Sequence, residues 1–260
     1  PVVFRNTELI YDDDISAMVQ NMGFKGVITE GAKHILGWKS PNYVYSSPVA
    51  PKLKLLLKNS KLSDDISFRF SNPDWASYPL TADKYIDWIA SLPEEEQLVN
   101  LFMNYETFGE MQPRESGIFE FMKALPRFAV EKGIEFFTPS EVISKMKSVG
   151  EMRVMHPISW ADEARDTSAW LGNTLQQEAV KKLYSIGERV RLCQDRRIKQ
   201  DWYYLQASDH FFYMSTKHNE DGSVHSHYSP YDSPYTAFTN YMNVLSDFMI
   251  RVQEQYPESI

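Results

Sequence analysis

Short apolar runs that read as β-strands alternate with helical segments through the first 150 residues, and this alternation restricts the chain to a parallel sheet or barrel. Val2 to Arg5 is followed by "DDDISAMVQNMG", where Ile15, Met18, Val19 and Met22 share one helical face, Asp residues fill the first turn and Gly23 ends the run. Phe24 to Thr29 reads as a second strand, Ile66 to Phe70 as a third, Leu98 to Met103 as a fourth and Ile134 to Phe137 as a fifth. Helices are expected over Asp83 to Leu92, over Gly117 to Lys132 with a break at Pro126, and in the run opened by "TPSEV", with Pro in its first turn.

The pattern changes after about residue 150. Ser159 to Arg197 is mostly helix former, and Phe238, Tyr241, Met242, Leu245, Phe248, Met249 and Val252 form an apolar stripe at helical spacing behind a cap at Ser233. Residues 1–150 are therefore expected to form the β/α part and 151–260 a mainly helical subdomain. The chain opens inside a strand, so a preceding segment is expected, which leaves a signal peptide open.

A net charge of -8 with a pI near 5.3 argues against a nucleic-acid partner, because "RRIK" (Arg196 to Lys199) is too short to form a phosphate-binding surface. No apolar stretch is long enough to span a bilayer. The single cysteine, Cys193, allows no internal disulfide and fits a reducing, cytoplasmic setting.

In parallel barrels the side chains just past the carboxyl ends of the strands make the site. Here those residues are Asn6, Thr7 and Glu8; Thr29, Glu30 and Gly31; Ser71, Asn72 and Asp74; Asn104 and Glu106; and Thr138. Each carboxylate alone is most simply a solvated loop residue. Together they converge on one rim without fixing a reaction, although two carboxyl groups about 5 to 5.5 Å apart would suit a retaining glycosidase. Trp38, Trp75 and Trp160 stand beside polar residues in loops, where flat faces can stack on sugar rings, while Trp88 on an amphipathic helix reads as core. "HSH" (His225 and His227) could suggest a metal together with His156 or His218, but no carboxylate pattern accompanies it, and neither metal nor cofactor is expected.

The segments "VFRNTELIY", "GFKGVITEGA", "GWKSPN", "NYETFGE", "SWADEARDTSAWLGN" and "QASDHFFYMSTK", in this order, resemble the α-amylase-type members of glycoside hydrolase family 57 from Val2 to about Phe248. The family's opening His-Gln-Pro segment is not in this sequence. The resemblance implies part of an incomplete seven-stranded parallel β/α barrel, followed by a helical subdomain that completes a sugar cleft. It also implies retaining action on α-1,4-glucans or maltooligosaccharides. Glu8 matches the family's nucleophile and Asn104 the position of its acid/base Asp; Met111 replaces a common His. By the same match Trp160, Asp162 and Asp209 lie along the sugar site and Glu106 supports it, with Glu30 and Trp38 completing the candidate substrate-binding set.

An amide cannot donate the proton that a sugar leaving group needs. General acid catalysis is typically worth about 10²–10⁴-fold. The expectation is an impaired glycosidase, or a maltooligosaccharide binder. The alternative is an active α-amylase or 4-α-glucanotransferase that uses Glu106 or Glu30 instead.

Overall fold

The computed structural model describes residues 1–219, 222–223 and 229–255. The chain divides into two compact units, Pro1–Trp160 and Ala161–Ile260.

The first unit is built on one four-stranded sheet: β1 (Val3–Arg5), β2 (Gly26–Thr29), β3 (Val44–Ser46) and β4 (Lys54–Leu57), in the order β1-β2-β4-β3. β1, β2 and β4 are parallel, with Arg5 opposite Ile28 and Thr29 opposite Leu57, while β3 is an antiparallel edge. α1 (Asp13–Asn21) connects β1 to β2, capped by the Asp12 carboxylate, which accepts from the Ile15 N–H at 2.7 Å. α2 (Lys33–Leu36) follows β2, and a core of Tyr11, Val19, Val27, Leu36, Tyr45, Leu53, Leu55 and Leu57 fills one side of the sheet. Residues 151–160 extend along this unit. The Met152 N–H donates to the Ser46 carbonyl at 2.9 Å, and Tyr11 and Ile158 exchange both backbone bonds.

A seven-stranded barrel is not what the described residues form, and three expected strands are corrected. Ile66 to Phe70 lies at the end of and beyond α3 (Ser60–Ser67): Asn59 caps the Leu62 N–H, and Leu62 and Ile66, one turn apart, bury the same face. Leu98 to Met103 makes no ladder; Asn100 docks it onto β4 by donating to the Leu57 carbonyl and accepting from the Asn59 N–H. Ile134 to Phe137 is spent on the close of α5 (Ile118–Glu131), where the Ile134 N–H donates to the Ala129 carbonyl after left-handed Gly133. α5 runs unbroken through Pro126, an exposed residue that brings no N–H to the Met122 carbonyl. It packs on α4 (Ala82–Ala90) through Tyr85, Ile86, Phe121 and Leu125, and α6 (Pro139–Lys145) begins with a Thr138–Glu141 capping box.

The second unit is helical: α7 (Ser168–Leu171), α8 (Thr174–Ser185), α9 (Gly187–Leu192), α10 (Arg196–Leu205), α11 (Ser208–Phe212) and α12 (Pro234–Gln255), with a two-residue pair, β5 (His218–Asn219) and β6 (Gly222–Ser223). Of the expected stripe, Tyr241, Leu245, Phe248 and Val252 are buried and Phe238, Met242 and Met249 half-buried, with Ala237 added to the buried face; Ser233 accepts from the Thr236 N–H at 3.1 Å. Gln176 on α8 ties the unit together, donating to the Ala169 and Phe211 carbonyls at 2.7 and 2.9 Å.

Candidate active site

The three parallel strands deliver three charged residues to one rim. β1 leads into Glu8, β2 ends directly before Glu30, and β4 ends directly before Lys58. Gly31 is needed at the exit of β2, since a Cβ there would stand 2.2 Å from the Lys58 carbonyl oxygen. Only hydrogen lets the two chain segments approach so closely.

Glu8 sits on a one-turn 3₁₀ helix (Thr7–Leu9) in the left-handed region, with φ 50° and ψ 22°, and Leu9 follows at φ 52°. Consecutive non-glycine residues in that region persist only where neighbours over-determine them. Here Asn6 donates to the Ile10 carbonyl at 3.0 Å, Thr29 Oγ1 donates to the Leu9 carbonyl at 3.1 Å, and Leu9 is fully buried. The half-buried Glu8 carboxylate then meets Trp160, whose Nε1–H donates to Oε2 at 2.9 Å while its backbone N–H donates to the Glu8 carbonyl at 3.1 Å.

Two cations flank that indole: the Arg5 guanidinium at 5.1 Å and the Lys58 ammonium at 5.4 Å from the ring centre. Charge over the π system polarises the ring and strengthens its N–H as a donor. Lys58 is itself fixed from behind, 2.9 Å from Asp64 Oδ1 and 3.8 Å from Glu30 Oε2, and Ser60 donates to Glu30 Oε1. Glu30, Lys58 and Asp64 are all buried, so a paired ion cluster supports the indole that positions Glu8. Next to it, burial pushes the Asp65 carboxyl up against the pull of Arg69, 2.6 Å away.

Lys58, Asp64 and Arg5 are the site residues that sequence reasoning missed. The available signal was the Leu55–Leu57 run followed at once by Lys58, the same residue-past-an-apolar-run rule that found Glu8 and Glu30.

Asn104 and Glu106 are exposed at the start of a 3₁₀ turn (Tyr105–Thr107). The preceding segment reaches the same end of β4 through Asn100 and through the Phe102 N–H on Ser63. Neither side chain bonds to the Glu8 group among the described residues. Trp38 belongs to a different, open cleft with Tyr43, Tyr45 and Glu96. In the second unit, Lys217 donates to Asp162 Oδ2 at 2.6 Å and the Ala164 N–H to its Oδ1 at 2.9 Å, which gives Asp162 a structural task. Asp209 is exposed in the first turn of α11. His225 and His227 lie outside the described residues, and among those described no group of three or more His, Cys, Asp or Glu could hold a metal ion. No described helix is long and apolar enough to cross a membrane.

Residues 1–155 match the model of Glycosyl hydrolase family 57. A protein of Methanocaldococcus jannaschii named "Putative alpha-amylase" is 45% identical over 268 residues, which take in 99% of this chain and 56% of that protein. The chain thus spans little more than half the length of that relative. Its fold is shared with a GH57-type branching enzyme from Pyrococcus horikoshii, at TM-score 0.59 and 13% identity over 92% of this chain and 56% of that one. It is shared also with a GH57 branching enzyme from Thermococcus kodakaraensis, solved in complex with glucose and additives, at TM-score 0.58 and 11% identity over 94% and 58%. At such identities the two structures speak for the fold alone. The family match takes in the sheet, the Glu8 turn and Asn104 together, and the chain belongs to glycosyl hydrolase family 57.

Proposed function

We propose that this chain is the nucleophile-bearing part of an α-amylase-like, α-glucan-acting retaining glycoside hydrolase whose acid/base position is held by Asn104. In this reading the four-stranded sheet is a portion of a larger β/α barrel, with residues 1–150 as the barrel portion and 151–260 as the helical portion. The substrate is an α-1,4-glucan or maltooligosaccharide; Glu106 and Trp160 in the first unit and Asp209 in the second are proposed to bind it, with Asp162, held by Lys217 and the Ala164 N–H, in a supporting role.

The observation that carries the reading is the Glu8–Trp160 pair. A carboxylate on a constrained turn, with Oε2 taken by an indole N–H, keeps Oε1 for attack on an anomeric carbon. Attack forms the bond from Glu8 to the sugar and breaks the glycosidic bond. A natural leaving group must take a proton as it departs, and the Asn104 amide has none to give.

An activated donor separates the two requirements. With α-maltosyl fluoride, fluoride leaves without protonation, so Glu8 can form the glycosyl-enzyme; without a general base at residue 104, water removes the sugar slowly. Mass spectrometry of the complete gene product should show a maltosyl adduct on the Glu8 peptide. Rapid turnover of unactivated maltooligosaccharide with no adduct would instead favour the second reading, in which another carboxyl serves. Of the two candidates Glu106 is the better placed for that: Glu30 is 1% exposed and engaged with Lys58 and Ser60.

A further inference from the structure

We propose that the cleft at the outer edge of β3 is a second saccharide site, separate from Glu8, which holds a segment of glucan chain away from the bond being cleaved. The proposal rests on the glucan-acting reading for the identity of the sugar and on the cleft's own geometry for its existence.

The cleft has a volume of about 550 Å³ and is lined by Trp38, Lys39, Tyr43, Tyr45 and Glu96. That size lies within the ordinary range of small-molecule sites, roughly 300–1,000 Å³. Trp38 is 92% exposed, an unusual cost for an indole that packs on nothing. It is nevertheless not on a loose loop. On one side Lys39 N–H returns to the Leu36 carbonyl and Lys39 Nζ donates to the Glu151 carbonyl at 2.9 Å; on the other, Tyr45 Oη donates to the Ser40 carbonyl at 2.7 Å. The indole is held out by an anchored turn.

Polar groups stand around this flat face. Glu96 is fixed by Asn42 Nδ2 at 2.5 Å through Oε2, and the Lys39 ammonium lies 5.8 Å from the Tyr45 ring. The Tyr45 ring is buried and forms the floor of the cleft, its phenol raised by that burial. An aromatic face for the C–H side of a pyranose, with a carboxylate and an ammonium for its hydroxyls, is the chemistry of sugar recognition. A phosphorylated ligand or nucleic acid would meet the Glu96 carboxylate and a chain of net charge -8.

The cleft is distinct from the Glu8 group by topology. β3 is the edge strand of the order β1-β2-β4-β3, three places from the strand that carries Glu8. At about 4.8 Å per place, strands β1 and β3 themselves lie roughly 14 Å apart across the sheet.

The test is ¹⁹F NMR of the complete gene product labelled with 5-fluorotryptophan, with Trp38 and Trp160 assigned by Trp→Phe variants and maltoheptaose as titrant. Saturable shifts of both resonances, with the Trp38 response weakened at least tenfold in Glu96→Ala and the Trp160 response retained, are expected. A Trp160 shift alone overturns the second site and leaves the proposed function standing. A Trp38 shift alone upholds the cleft and sinks the glucan site at Glu8. If neither moves, both fall. A Trp38 resonance that follows protein concentration and ignores sugar would make the cleft a contact between copies and overturn the proposal.

Discussion

Replacing Lys58 with Met removes the cation that holds the rim together. Lys58 is 4% exposed, and its ammonium lies 2.9 Å from Asp64 and 3.8 Å from Glu30, whose side chains are 12% and 0% exposed. Methionine keeps the volume of the stem, so the loss is electrostatic: two buried carboxylates lose the ammonium that faces them both. Breaking a buried ion pair in this way costs about 3–5 kcal/mol. Urea denaturation followed by tryptophan fluorescence should show the midpoint of the first unit falling by at least about 1 M, given a slope of roughly 1–3 kcal/mol per molar. Because the penalty belongs to the stranded charge, Lys58→Met/Asp64→Leu should be less destabilised than the sum of the single variants, by about 1 kcal/mol or more. A Lys58→Met loss below about 1 kcal/mol, or strict additivity in the double variant, would refute the ion-cluster argument.

Three further perturbations bear on the same structure. Trp160→Phe deletes a 2.9 Å hydrogen bond to a charged group, worth about 1.5–3 kcal/mol, so glycosylation by α-maltosyl fluoride should slow roughly 10- to 100-fold; an effect confined to KM would contradict a positioning role. Gly31→Ala must displace the Lys58 backbone carbonyl and should cost about 1–3 kcal/mol, and a neutral result by thermal melting would disprove the close approach. Burial pushes the Tyr11 phenol up to about 12 from 10.0; the folded state therefore holds this proton more tightly, and its contribution, complete below pH 10, is lost as pH rises towards 12. Tyr11→Phe should remove up to roughly 2.7 kcal/mol of that alkaline decline, which an unchanged slope between pH 9.5 and 12 would rule out.

The parts of this fold legible in the sequence were those with a local period or cap. α1 carries its Asp12 cap, α6 its "TPSE" box, and α12 most of its stripe, all visible without tertiary information. The expected apolar face of α1 is only partly right: Val19 is buried, but Met18 and Met22 are exposed and Ser16 takes the inner position instead. The misread segments were settled by a neighbouring helix that claimed their residues or by a partner distant in the chain. Ile66 to Phe70 has strand-like residues, but the Asn59 cap and the Leu62–Ile66 spacing upstream claim its start for a helix. Leu98 to Met103 is apolar enough for a strand and is docked by the Asn100 side chain instead. β3 and β4 went unseen although they are no shorter than β1 and β2: the unbroken run Leu55–Leu57 cannot be told from a buried helix by periodicity, and Val44–Ser46 is buried throughout, without alternation. At the site, Glu8 and Glu30 follow from the strand-end rule, whereas the role of Lys58 depends on Asp64 and Trp160, which only folding brings to it.

The central claim is that residue 104 lacks a proton donor in a site otherwise built for glycosyl transfer. The most direct measurement is reducing-end release from maltoheptaose by the complete gene product beside its Asn104→Asp variant. Restored acid catalysis should raise the rate by a hundredfold or more, about 2.7 kcal/mol or more off the barrier. A parent enzyme that is already fast, with no gain from Asn104→Asp, would contradict the account and place the proton donor elsewhere.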